Sequence, residues 1–231
     1  MGKTMKSRGL VSVVAAAATI SWGSMPAYAQ TADVLPLTIH EDFEKIDAGQ
    51  PWGKATVVTP NLTDVVTVSS DAPNAGKRCL KVCTTKDGKN TRAPYLFLRP
   101  KYTDGTATLA FSIKLDPGTV VWPEWRDWRS NPYKAGPAMR IDNGKLFVRD
   151  KSLMDLPAGK WARFEMTMPL TAQGAAKWDL TVTPQGGEKK TFTGLAVADK
   201  DFSQVNWIGF IAVPTSHVCF YIDDVDLSLK K

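Results

Sequence analysis

Between Trp122 and Tyr133 the chain reads WPEWRDWRSNPY, which sets three Trp, one Tyr, one Glu, one Asp and two Arg within twelve residues. Aromatic rings offer flat apolar platforms, while guanidinium and carboxylate groups offer directed hydrogen bonds. A ligand matched to both has apolar faces and hydroxylated edges, as a sugar ring does. If the segment is extended, alternation puts Trp122, Glu124, Arg126 and Trp128 on one face and Trp125 and Asp127 on the other. Pro123 argues against a helix and suits an edge strand or a bulge. Arg140, in Pro137-Ala138-Met139-Arg140, and Lys114 are expected on neighbouring strands of the same sheet. With Tyr133 these side chains would form a concave surface of stacking rings and hydrogen-bonding charges. Arg126 and Arg140 would fork onto a carboxylate or a sulfate. The same composition also suits a filled core crossed by a structural Glu124–Arg126–Asp127 ion lattice.

Bond cleavage has a weaker basis in the residues, and no catalytic residue is assigned. A retaining glycosidase sets two carboxyls ~5 Å apart and an inverting one ~6.5–9.5 Å apart. Glu124 and Glu165 are the acids available for such a pair. A polysaccharide lyase needs a Tyr or His base beside a charge-neutralising Arg, which points to Tyr133 with Arg126 or Arg140. The two histidines, His40 and His217, read as structural. There is no Gly-x-Ser-x-Gly elbow and no phosphate loop.

The elements that must position these groups are strands. Sustained helical periodicity is missing after the first residues, and short alternating runs are separated by turn residues. Leu109, Phe111, Ile113 and Leu115 share one face of a run, and Trp161 to Met168, Trp178 to Val182 and Trp207 to Val213 alternate likewise. Trp161, Trp178 and Trp207 read as core residues on that pattern. Asp142-Asn143-Gly144 predicts a tight hairpin, because Asn-Gly accepts the positive φ values of a type I′ turn. Asp104-Gly105, Asp116-Pro117-Gly118 and Gly186-Gly187 mark further turns. The pattern predicts roughly twelve to fourteen strands, and hence an all-β fold of two stacked antiparallel sheets, a jelly-roll sandwich.

Residues 1–29 read as a signal peptide. Lys3, Lys6 and Arg8 precede an apolar run from Leu10 to Ile20, and Ala27-Tyr28-Ala29 is a small-x-small cleavage site. The run is shorter than the ~20 residues a membrane span needs. Residues 30–231 are therefore expected to be exported, to the periplasm or outside the cell, as one β domain. The net charge of +6 falls to +3 without the leader, at 26 Lys/Arg against 23 Asp/Glu. That mild excess favours acidic ligands slightly and gives no case for nucleic acid, which calls for a concentrated basic face. Of the three cysteines, Cys79 and Cys83 lie ~13 Å apart in an extended run, beyond the ~7 Å reach of a disulfide. Either one bonds Cys219 across neighbouring strands, or all three are buried thiols.

The two ends carry a resemblance. The chain opens with Glu41-Asp42-Phe43-Glu44, continues with Gly76-Lys77-Arg78-Cys79-Leu80-Lys81-Val82 and closes with Phe220-Tyr221-Ile222-Asp223-Asp224-Val225. This resembles the frame of carbohydrate-binding jelly rolls and the wider concanavalin A-like (laminin G-like) group. The resemblance implies a structural Ca²⁺, held by Asp42 or Glu44 together with Asp223 or Asp224. Ca²⁺ takes six to eight oxygen ligands. The Glu-x-Asp-x-x-Glu strand of hydrolases in that group is absent, as are the Gln-x-His and Arg-x-Glu-Leu motifs of jelly-roll alginate lyases. The resemblance therefore implies non-catalytic binding of a polysaccharide or other glycan. An enzyme using the same groove and a structural envelope protein without a sugar site are the alternatives.

Overall fold

A computed structural model describes residues 37–61, 63–85, 92–171 and 177–231. The expected leader lies outside the described residues. Each alternating run becomes a strand, and the described residues hold sixteen strands and no helix. The surplus over the sequence expectation comes from pieces too short to show alternation, such as β1 (Ile39–Glu41), β2 (Thr56–Val58) and β9 (Arg140–Asp142).

The strands form two antiparallel sheets. One runs in the order β14 (Lys190–Ala196), β13 (Lys177–Pro184), β12 (Trp161–Leu170), β6 (Gly105–Leu115), β16 (Cys219–Lys230), β4 (Cys79–Cys83) and β3 (Val65–Ser69), with β1 also on β16. The other runs β11 (Lys151–Asp155), β10 (Lys145–Val148), β9, β7 (Val120–Asp127), β15 (Trp207–Val213), β5 (Tyr95–Leu98) and β2, with β8 (Lys134–Ala138) also on β7. The first and last strands are neighbours, with Glu41 opposite Val225 and His40 opposite Asp226.

The core lies between the sheets. Leu109, Phe111 and Ile113 of β6, with Phe164 of β12, meet Trp125 of β7 and Ile208 and Phe210 of β15. Phe111 stacks on Phe164 at 5.3 Å and meets Phe210 edge-on at 4.8 Å, so one ring ties the two layers together. Each such buried side chain contributes about 1.5–3 kcal/mol from removal of apolar surface from water. The Asp142-Asn143-Gly144 hairpin forms as its residues predict, with φ of 48° at Asn143 and 73° at Gly144.

The antiparallel register between β16 and β4 puts Cys219 opposite Cys83. Those two form the disulfide, and Cys79 stays a buried thiol. Pairing of these strands ends at Ile222 and Leu80, so Cys79 has no partner across the ladder.

Only Trp178 of the three tryptophans expected in the core lies between the sheets. Trp161 packs with Cys79 and Tyr221 on the outer face of the first sheet. Trp207 packs with Phe97 and Ile211 on the outer face of the second. Alternation shows that a strand face is apolar, and it does not say which side of the sheet that face covers.

Candidate functional site

The outer face of the second sheet is built in rows across β7, β15 and β5. Residues paired across antiparallel strands point the same way. Arg126 stands opposite Trp207, Glu124 opposite Gly209 and then Phe97, and Trp122 opposite Ile211 and then Tyr95. Trp125 points the other way into the core, so the alternation expected over residues 122–126 is the one observed.

Gly209 decides the shape of this face. A Cβ there would come within 2.4 Å of the Trp207 ring and 2.7 Å of the Leu96 carbonyl. The bare position lets the Trp207 indole fold back along the sheet and stack on Phe97 at 5.4 Å. Arg126 lies over this layer. Its guanidinium carbon is 4.0 Å from the Trp207 ring centroid and 4.2 Å from that of Tyr133. Its Nε donates to Glu124 Oε1 at 2.8 Å, and both side chains are about nine-tenths buried. The guanidinium is thus fixed from three directions, an arrangement lysine would not reproduce.

Trp128 follows directly after β7. Its backbone N–H donates to Asn206 Oδ1 at 2.8 Å. Its ring stands 6.0 Å from Trp207 and 6.4 Å from Tyr133 and is 42% exposed, the one exposed large hydrophobic side chain among the described residues. Asp127 braces the turn. Burial pushes its carboxyl pKa up, and hydrogen bonds from Arg129 and Asn206 outweigh that and hold it below the usual range.

Two openings flank Tyr133. Trp122, Glu124, Tyr133, Arg140 and the turn residues Arg149 and Asp150 line one of about 420 Å³. Arg92, Tyr95, Arg126, Tyr133 and Ile211 line the other, of about 260 Å³. The structure therefore gathers all six expected ligand-binding residues, Trp122, Glu124, Arg126, Trp128, Tyr133 and Arg140, on one face. Arg140 sits on a strand bordering β7, its guanidinium 4.6 Å from the Phe147 ring centroid and 3.5 Å from Asp142. Sequence reading missed Tyr95, Trp207, Arg92, Arg149 and Asp150. The alternation of Tyr95 and Phe97 was a usable signal for β5. Nothing local marks Arg149, which reaches the site from a turn at φ 54°.

Two expectations need correction. Lys114 lies on β6 in the first sheet, over the Tyr221 ring at 4.8 Å, and takes no part in this face. Glu165 is exposed on the outer side of the first sheet. It and Glu124 point away from each other on opposite sides of the sandwich, so they form no hydrolytic pair.

The four acids expected to bind Ca²⁺ are placed otherwise. Glu44 Oε1 accepts the backbone N–H groups of Lys77 and Arg78. Asp223 accepts from the backbone of Asn74 and Asp224, Asp224 accepts from the Asn74 side chain, and Asp42 accepts from the backbone of Glu44. Donors of the 74–78 loop thus take oxygens a cation would need. Among the described residues no three acidic, His or Cys side chains gather as metal ligands. Glu41, buried like Asp223, accepts from Trp52 Nε1 at 3.1 Å and pairs with Lys54 at 2.9 Å.

Neither a protein-family profile nor a curated protein sequence matches the chain. Solved structures do. An endo-β-1,4-glucuronan lyase from the fungus Trichoderma reesei superposes with a TM-score of 0.56 at 12% identity, over 83% of this chain and 95% of that one. A seed lectin from Lotus tetragonolobus gives 0.51 at 9% identity, over 84% of this chain and 100% of the lectin. A PL-14 alginate lyase from Aplysia kurodai gives 0.50 at 10% identity, over 71% of this chain and 87% of the lyase. At these identities the likeness shows architecture, and the chain is a two-sheet antiparallel jelly-roll sandwich of the concanavalin A-like kind.

Proposed function

We propose that this chain binds a polysaccharide on the outer face of its second sheet, with sugar rings on Trp128 and Tyr133 and sugar edges on Glu124, Arg126 and Arg140. The observation that carries this reading is the exposed Trp128 indole beside a guanidinium already fixed by Glu124, Trp207 and Tyr133. An immobilised Arg spends little further entropy on binding. Four guanidiniums and two carboxylates line the two openings, which favours a glycan bearing carboxylates or sulfates. Export of residues 30–231 belongs to the same reading and rests on the sequence of residues 1–29.

A second reading is a polysaccharide lyase. It is favoured by Tyr133, which packs against Arg126 and lines both openings. The two readings separate in one experiment. Residues 30–231 are mixed with acidic and neutral polysaccharides, and protein and polymer masses are followed together by size-exclusion chromatography. Co-elution with a polymer of unchanged mass supports binding. A falling polymer mass with new ultraviolet-absorbing unsaturated ends establishes the lyase. Independent elution from every polymer overturns both.

A further inference from the structure

We infer that the cavity at the end of the sandwich is a second binding site, for small molecules with an apolar body and a protonated amine head. It lies where the β6–β7 turn, the β9–β10 hairpin and the β11–β12 loop meet, and it has a volume of about 360 Å³. That is within the ~300–1,000 Å³ typical of ligand sites, which are mostly apolar with a few polar groups at the edge. The glycan face and this cavity share the β9–β10 hairpin, but Arg140 lines the former and Ile141 the latter.

The space is built by particular residues. The inward positions of β12 run Ala162, Phe164, Met166, Met168 and Leu170, and the one small side chain among them stands at this end. Ile113 and Phe164 from one sheet and Ile141 and Leu156 from the other form the floor. Gly144, at φ 73°, brings the hairpin so close that a Cβ would meet the Leu156 carbonyl at 3.1 Å. Leu156 N–H donates to Gly144 O and Gly159 N–H to Leu115 O, each at 2.7 Å, so the walls are tied to each other.

The rim supplies the head-group chemistry. Asp116, Asp155 and Lys160 line the opening. None of the three has a side-chain hydrogen bond or ion pair among the described residues. Two carboxylates and one ammonium line the opening itself, with Lys81 in electrostatic contact with Asp116 and Lys145 opposite Asp155 in the β10–β11 ladder. Among the lining side chains carboxylates outnumber ammoniums, which suits an ammonium head, while the apolar body takes the floor of Ile113, Phe164, Ile141 and Leu156.

Isothermal titration calorimetry with n-butylamine through n-octylamine tests this, with octanol and octanoate as controls. Each added methylene should tighten binding about fourfold until the cavity is full. Octanol should bind more weakly than octylamine, and octanoate more weakly still. Ala162→Phe fills the space and should abolish amine binding while polysaccharide binding stays unchanged. Asp155→Asn should weaken octylamine several-fold and leave octanol unaffected, which keeps the test decisive if Ala162→Phe does not fold. No amine binding, octanoate binding as tightly as octylamine, or full binding in a folded Ala162→Phe protein each overturns the proposal.

Discussion

The guanidinium carbon of Arg126 lies 4.0 Å from the ring centroid of Trp207. Their strands are neighbours, and the register sets the two residues directly opposite each other. A cation over an indole contributes about 0.5–2 kcal/mol, more when water is excluded. The contact makes Arg126 part of the structure as well as of the candidate site.

Arg126→Ala is therefore expected to destabilise the protein as well as to weaken polysaccharide binding. It removes a packed guanidinium and leaves Glu124 buried without its partner. Loss of one member of a buried pair costs about 3 kcal/mol or more. For a chain of this size that lowers Tm by roughly 6–12 °C. Differential scanning calorimetry checks it, and an unchanged Tm would mean that Glu124 escapes to water.

Trp128→Ala isolates binding from folding. Its ring is 42% exposed and meets Phe97, Trp207 and Tyr133, so stability should fall by about 1 kcal/mol, too little to unfold the domain. Loss of the aromatic platform should weaken polysaccharide affinity about tenfold, or roughly 1.4 kcal/mol. Affinity electrophoresis of the two proteins on the same polymer gel reads this directly. Equal retardation would remove Trp128 from the site.

Stability should fall as pH rises from about 4 to about 6. Burial pushes the Asp223 carboxyl up to about 6, well above its value of 3.8 in an unfolded chain. The fold thus prefers the protonated form. Its contribution is complete below the unfolded value and is lost as pH rises through about 6, at a cost of about 3 kcal/mol. His40, raised by its hydrogen bond to Asp226, acts in the same direction. Asp127 and Asp226 are lowered, and their contributions are lost only at more acid pH. Urea denaturation of wild type and Asp223→Asn should show the slope reduced in the variant, and equal slopes would assign it elsewhere.

Thiol chemistry should report one cysteine per chain. Native protein should react slowly, because burial pushes the Cys79 thiol up to about 12 and leaves almost no thiolate. Unfolding without reductant should expose one thiol, and unfolding with reductant three. The Cys83–Cys219 bridge spans 136 residues, so its removal should cost roughly 4–5 kcal/mol in the chain-entropy model. Two or more fast-reacting thiols in the native state would break this assignment.

The sequence by itself determined the strand character of the longer alternating runs and part of the candidate surface. Period-two alternation, Asn143-Gly144 and the turn glycines specify strands and hairpins through local sterics. The WPEWRDW run, once extended, commits Trp122, Glu124 and Arg126 to the side opposite Trp125. The tertiary structure alone decided what each face meets. Trp161, Trp178 and Trp207 show similar alternation, yet only Trp178 lies between the sheets. Strand order separated Lys114 and Glu165 from Arg126, although both are apt in type. Register chose Cys83 over Cys79 for Cys219. It also brought Tyr95 and Trp207 to the face, and Arg92 and Arg149 reach it from turns. Local sequence fixes backbone periodicity because φ/ψ preferences act residue by residue, whereas contact across a sheet depends on non-local pairing that no short segment encodes.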